Sequence, residues 1–444
     1  MITKPTKIKK LLILIAVCII IKSTSQSLEE DDIINNSFEL NNNNNNNNNY
    51  NNYIEKYNIV WRVPVGCDYS GFFVEVLNFF IGLDNILGNA VGDNNLHLDI
   101  GTCSNEFLKT LETREATIIQ KYQANYNNRY AMKNNPDWTN TILIHHKLPN
   151  NPFSTFQPSN RPKIIIARVM IESNILPRNE IQYLKNDIDY IWVPTSWHEN
   201  IYVNHGINKN KLFVVNEPMS FKQFETKTNS ATYRFLSVFK YEHRKGGDIL
   251  LNSYWNAFTI KDDVELIIRS YRPSWLPGTK NLENIFKSIA KQNFGKLLSE
   301  LPKVTWVKEE LNRKEMFNLY KSASAFVLPT RGEGWCLPCV EAMSMGLPIV
   351  VTNFSGPTEY LNEKYSYPIP IHNNINHDGT AEPDLNACAD LMQHLYKNPA
   401  EGKEKGALAS KFVAKHLSPN IIAKKILKKL HEYVSYDDED KSEL

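Results

Sequence analysis

The chain has 444 residues, with 50 Lys and Arg against 48 Asp and Glu and a net charge of +2. That balance leaves no basic surface of the kind nucleic acid requires. The globular stretch from Asn58 to Tyr433, about 375 residues, is too long for one hydrophobic core and predicts two domains of ordinary size.

Lys4, Lys7, Lys9 and Lys10 precede an uninterrupted apolar run from Leu11 to Ile21, and Ser23 and Ser25 follow it. This is the pattern of a secretory signal peptide over residues 1–25, and the run is short for a bilayer span. An uncleaved anchor is the alternative. Cleavage after Ser25 would remove five lysines and leave a net charge of −3. Residues 26–57 are acidic at first and then almost pure asparagine, a tract with nothing to bury that is expected to stay disordered. Asn35-Asn36-Ser37 is a glycosylation sequon in that segment.

Asn58–Val65 reads as a first strand. Gly66, Ser70 and Gly71 lead from it into an apolar helix over 72–83, and a small-residue turn at a helix start can face a phosphate, which makes Gly71 a candidate contact. A G-x-G-x-x-G run is missing there, so a dehydrogenase reading is weak. Thr141–His145 is a buried strand ending in His145-His146; His145 is a candidate catalyst, although packed histidines at strand ends are commoner. Lys163–Ile171 is a third strand followed directly by Glu172, a second candidate that could equally begin a helix. Strands at 190–194 and 211–216 complete a doubly wound α/β domain over residues 58–228. Asp187-Ile188-Asp189 has a form that can hold a divalent ion, but its place before a strand is that of a helix end, and no metal site is assigned.

Phe221–Thr232 is polar and reads as a linker, and Tyr233–Phe239 opens a second domain over 229–434. Lys240, Arg244, Lys245, Gly246 and Gly247 then precede an apolar helix from Ile249. Cations and glycines at a strand-to-helix turn supply the fixed charge and close backbone approach that a diphosphate needs, the plain alternative being a solvated turn. After strands at 264–269 and 304–307 comes Ala325–Glu359, AFVLPTRGEGWCLPCVEAMSMGLPIVVTNFSGPTE. It predicts a strand at 325–328, a loop at 330–337, a short helix over about 338–345 and a strand at 347–352, a βαβ unit whose ligands bind at the carboxyl ends of strands. Glu333 at the loop's tip and Glu341 one turn inside the helix are acceptor-only forks suited to sugar and ribose hydroxyls, with phosphate at the helix start between them. Helices over 385–396 and 404–433 and a charged tail over 435–444 finish the chain.

The run LPTRGEGWCLPCVEAMSMGLPIVVTNFSGPTEYL resembles the donor-site signature of the retaining glycosyltransferases with the GT-B fold, the group-1 type with a Glu, seven residues, Glu motif. Family members commonly have Gly where this chain has Cys336. The resemblance implies two Rossmann-like domains facing a cleft, and metal-independent, hexosyltransferase-like transfer from a nucleoside-diphosphate sugar, with retention and without a cofactor. The acceptor, a glycan, protein or lipid, stays open. It implies Glu333, Glu172 and His145 as catalytic residues, and Lys240, Arg244, Lys245, Glu341, Gly334, Leu337 and Gly71 as donor contacts, Lys240 standing where Arg is commoner. It also implies that the last helix packs back toward the first domain.

A nucleotide-sugar or glycan-binding protein that has lost turnover is the alternative, against which both glutamates and both lysines speak. A phosphorolytic enzyme of similar fold would need a cofactor-lysine context that is absent. Cys336-Leu-Pro-Cys339 has the form of a redox or zinc pair, but no second pair answers it. With Cys18 in the leader, five cysteines remain, and Cys67 with Cys103 is the one disulfide to entertain. The final Lys441-Ser442-Glu443-Leu444 differs from a KDEL retrieval signal only at its second position. With the leader and no later span, it points to the endoplasmic reticulum lumen or early Golgi, a secreted or anchored protein being the alternatives.

Overall fold

In a computed structural model of the chain the described residues are 56–63, 67, 70–87, 95–133, 136–146, 156–220, 232–273, 278 and 281–440. The expected leader, the asparagine tract, most of the expected linker and the last four residues lie outside them.

Two parallel α/β sheets carry the fold. The first has strands β1 (Asn58–Arg62), β2 (Leu96–Asp99), β3 (Thr141–His146), β4 (Ile164–Arg168), β5 (Tyr190–Val193) and β6 (Leu212–Val214) in the order β2-β1-β3-β4-β5-β6. Helices α1 (Gly71–Leu87), α2 (Thr113–Tyr126), α3 (Arg178–Asn186) and α4 (Ser196–Asn204) link and cover them. The second has β7 (Tyr233–Lys240), β8 (Val264–Tyr271), β9 (Lys303–Val307), β10 (Ala325–Leu328), β11 (Ile349–Thr352) and β12 (Tyr367–Ile369) in the order β12-β11-β10-β7-β8-β9. Its helices are α5 (Gly247–Ala257), α6 (Leu282–Phe294), α7 (Arg313–Lys321), α8 (Leu337–Ser344), α9 (Leu385–Lys397), α10 (Pro399–His416) and α11 (Pro419–Asp440), and a small hairpin, β13 (Ile371–Ile375) with β14 (Ala381–Pro383), follows β12. Every pairing in both six-stranded sheets is parallel. That explains why β3 and β10 are apolar without alternation, since both faces of such strands are covered by helices and all their residues are buried.

The two sheets have the Rossmann-like architecture expected. Several details differ. The third strand stops at Arg168, and Val169 to Ile171 continue as a loop packed against the second domain. The helix expected over 404–433 is two helices, because Pro419 has no N–H to continue the ladder and starts a new helix instead. β2, β12 and the β13–β14 hairpin were not anticipated; each is short, and β2 interleaves His97 and Asp99 with its two leucines. Asp187 caps the end of α3, and Asp189 Oδ2 accepts from Ile165 N at 2.7 Å and from Arg161 Nη2 at 2.8 Å, so the D-x-D run pins β4 to β5. Cys67 pairs with Cys103, and Cys336 with Cys339, at Cα separations of 5.0 and 5.3 Å. The second of these corrects the expectation that only Cys67 and Cys103 could pair. Cys388 is free and buried.

The last helix, α11, leaves the second domain and lies on the first. Tyr433 stacks on Tyr190 with ring centroids 3.5 Å apart and accepts from Trp192 Nε1 at 3.2 Å, while Asn85 Nδ2 on α1 donates to Asn420 Oδ1 at 2.6 Å.

Candidate active site

In the second sheet the strand order reverses between β7 and β10, and in such sheets ligands bind outside the carboxyl ends of the strands at that point. The two loops that leave β7 and β10 there are the ones rich in cations and glutamate. Glycine is required where they meet. Gly246 has φ 68°, and a β-carbon on it would run into the Pro329 carbonyl at the end of β10.

Lys245 Nζ lies 2.7 Å from each carboxylate oxygen of Glu333, and Arg244 Nη1 is 3.7 Å from the same group. Thr330 Oγ1 donates to Glu333 Oε1 at 3.1 Å, and Ser355 Oγ accepts from Glu333 N at 2.9 Å, so backbone and side chain are both held. Glu333 is buried. Burial alone would raise its carboxyl, but Lys245, Arg244 and the hydrogen bonds outweigh it and hold the group below the ordinary carboxylate value. Arg244 donates to Gly332 O at 2.6 Å and meets Glu242 at 2.7 Å and Glu172 at 2.9 Å. Glu172 belongs to the first domain, so this guanidinium joins the two halves. Gly332 permits the approach: a β-carbon there would collide with the Glu172 carbonyl. Arg331, which sequence reasoning passed over, clamps the loop from behind, donating to Asp248 at 2.9 and 2.8 Å and to Glu382 at 2.7 and 2.8 Å.

Glu341 is half-buried on α8 and accepts from Tyr320 Oη at 2.6 Å. Burial raises its carboxyl above the ordinary value, while the Tyr320 bond and nearby Arg313 act the other way. Removing one of the opposing influences has a definite sign. Tyr320→Phe should raise the Glu341 pKa further, so that nucleoside-diphosphate affinity, if it uses this carboxylate as acceptor, begins to fall on acidification at a higher pH than in the parent. Calorimetric titration of nucleoside diphosphate across pH checks this, and superimposable affinity profiles would remove Glu341 from the site.

The remaining expected residues take the following places. A β-carbon on Gly71 would sit 3.4 Å from Leu337 Cδ1, so the turn before α1 and the start of α8 face each other. Lys240 ends β7, and Gly334 lies against Met170. His145 is buried at the end of β3, but the alternation of the strand turns its neighbour His146 toward α1. His146 Nε2 is 3.1 Å from Glu75 Oε2, and Glu75 Oε1 accepts from Arg168 Nε and Nη2 at 3.0 and 2.6 Å. Glu217, 2% exposed, lies within electrostatic range of both Glu75 and Glu333; burial first, and those carboxylates next, hold it well above the ordinary range. Only a face assignment for β3 would have pointed to His146 from sequence. Among the described residues no group of His, Cys, Asp and Glu is arranged to hold a metal ion, and no helix is long and apolar enough to cross a membrane.

Residues 232–398 match the family described as glycosyl transferases, group 1. No curated protein sequence matches the chain. Among solved structures, Anabaena Alr3699/HepE in complex with UDP and glucose superposes with a TM-score of 0.57 at 10% identity, covering 85% of this chain and 100% of that one. Sucrose-phosphate synthase from Thermosynechococcus elongatus gives 0.57 at 12% identity, covering 86% and 100%. TarM gives 0.48 at 17%, covering 67% of this chain and 56% of its own, so the chain spans little more than half the length of that protein. At these identities the likeness speaks for the fold, which is GT-B: two Rossmann-like domains with their strand ends facing.

Proposed function

We propose that the chain is a retaining, metal-independent glycosyltransferase that moves a hexose from a nucleoside-diphosphate sugar to an acceptor. The observation that carries this is the meeting of Lys245, Arg244 and Glu333 at the reversal point of the second sheet, opposite Glu172 from the first. When donor binds, Lys245 and Arg244 are placed to share their charge with the diphosphate, stabilising the leaving group as the glycosidic bond lengthens toward an oxocarbenium-like transition state. Two fixed cations make a divalent ion unnecessary for that task. Glu333 is then released to accept from sugar hydroxyls, and Glu341 from the ribose diol. Glu172 and His145 are assigned to the acceptor side. Closing the two halves over the substrates excludes water, which would otherwise hydrolyse the donor.

A solved neighbour was crystallised with UDP-glucose, which makes uridine-diphosphate sugars the first donors to try. Thermal unfolding in the presence of UDP-, GDP- and ADP-sugars should show a rise in Tm with one of them, because a ligand of the folded state stabilises it by mass action. Radiolabelled transfer with that donor should then persist in EDTA. Loss of transfer in EDTA with recovery on adding manganese would overturn the metal-independent reading. Donor binding without transfer or hydrolysis would instead favour a binding protein of the same fold. For location we propose the lumen of the early secretory pathway, on the strength of the Lys4–Ser25 segment. Fractionation with cytosol would refute it.

A further inference from the structure

Among the described residues, Cys336 and Ser355 are the only two other than glycine with positive φ. Cys336 has φ 72° and ψ 71°, the left-handed region that a β-carbon disfavours and that glycine enters freely. It stands immediately before α8, and its carbonyl accepts from Cys339 N at 3.0 Å and Val340 N at 3.3 Å, so its backbone sets the direction in which the helix begins. Among the described residues, the N–H groups of Trp335, Cys336 and Leu337 have no acceptor, while Lys245 and Arg244 stand at the adjoining turn. A sterically disfavoured backbone at such a place needs something to hold it. The disulfide from Cys336 to Cys339 does so.

Other uses of the pair fail on the same geometry. Cys336 is 4% exposed and Cys339 0%, so a partner thiol cannot reach them as it reaches an exchange-active disulfide. They are paired with each other, and no metal-holding group includes them among the described residues. A bridge closing so few residues removes less freedom from the unfolded chain than a long-range one and should add correspondingly less to global stability. Its effect is local.

We propose that the Cys336–Cys339 disulfide is a positioning device for the donor diphosphate, holding Cys336 in the left-handed turn that presents three unengaged N–H groups beside Lys245 and Arg244. The proposal rests on the donor-site reading of this loop. A glycine at 336 would reach the same turn without a covalent bond, and this gives the test. Cys339→Ala breaks the bridge and leaves a β-carbon at 336; Cys336→Gly combined with Cys339→Ala breaks the bridge and removes the steric objection. UDP, GDP and ADP binding is measured by calorimetry, and hydrogen exchange over residues 332–340 is followed without ligand.

The parent should bind one of the three. Cys339→Ala should bind it about tenfold more weakly and exchange faster over 335–340, and the double variant should recover both properties, although both variants share a lowered Tm from the lost bridge. Equal affinity and exchange in Cys339→Ala and the parent overturns the proposal. So does a double variant as weak as the single one, since a merely structural pair is not rescued by glycine. Free thiols at both positions in protein purified without reductant overturn it as well. If the parent binds none of the nucleotides, the donor-site reading fails, and the exchange pattern by itself still decides whether the bridge holds the turn.

Discussion

Replacing Lys245 by alanine is expected to lower kcat/KM for sugar transfer ten- to a hundredfold, with the loss visible in donor affinity. Hydrogen bonds to charged groups are worth about 1.5–3 kcal/mol each, and Lys245, which bonds Glu333 in the absence of donor, is the group proposed to make such bonds with the diphosphate. A second consequence follows from its partner. Lys245 is the leading cation that holds Glu333 below the ordinary carboxylate value, so its removal leaves a buried carboxyl with Arg244 as the remaining cation at 3.7 Å. The Glu333 pKa should rise, and the acid limb of the pH profile of kcat/KM should move to higher pH. The two effects separate a donor contact from a solvated turn. If affinity and pH profile both stay put, Lys245 is surface charge and the site assignment falls with it.

The largest effect on stability is expected in the first domain, at Glu75 and Arg168. Both side chains are 1% exposed and their closest oxygen and nitrogen are 2.6 Å apart. Removing either partner strands a charge in the interior, so Glu75→Gln or Arg168→Met should cost about 3–5 kcal/mol. Replacing both by leucine should cost less than either single change. The pH dependence has a definite direction. Burial would raise Glu75, but Arg168 and His146 outweigh it and the group is lowered to about 2. A folded-state pKa below the unfolded one contributes stability above the ordinary value, roughly 4.3, and that stability is lost as pH falls toward about 2. Glu75→Gln cannot titrate, so urea unfolding of parent and variant should converge as pH is lowered from neutrality. A difference that stays constant with pH would show the cost to be one of packing alone.

Much of the donor loop could be read in the sequence because its punctuation is covalent. Pro338 and Gly346 fix where a helix can begin and end whatever surrounds them, and α8 spans Leu337–Ser344, one residue from the expectation. Ala325–Leu328 was equally plain, since an apolar run of four between turn residues has few alternatives. What stayed hidden depended on residues far apart in the chain. Arg331 looks like one more charge in a polar loop until Asp248, 83 residues before it, and Glu382, 51 after it, are brought to its guanidinium. That His146 meets Glu75 depends on which face of β3 meets α1, and a strand buried on both faces carries no alternation from which to read it. The pairing of Cys336 with Cys339 was passed over for a different reason. Cys-x-x-Cys was weighed as a redox or zinc motif, both of which need chemistry around the sulfurs, whereas a bridge that only bends the backbone needs none.

The helix α11 has a consequence for the order in which the molecule can be completed during synthesis. Asn85 on α1 and Asn420 on α11 are 335 residues apart, and Trp192 waits 241 residues for the hydroxyl of Tyr433. When the first sheet has left the ribosome, the face of α1 that Gly82 presents to Pro419 and Ala423 is still bare. The nascent first domain therefore carries an open apolar flank through translation of the second sheet and its helices, and its folding is finished by a segment made after all of them. Chaperone occupancy should persist on the first domain until residues 419–440 emerge. A stop codon shortly before Pro419 would then injure the domain farthest from it in sequence, leaving the six strands of the second sheet intact.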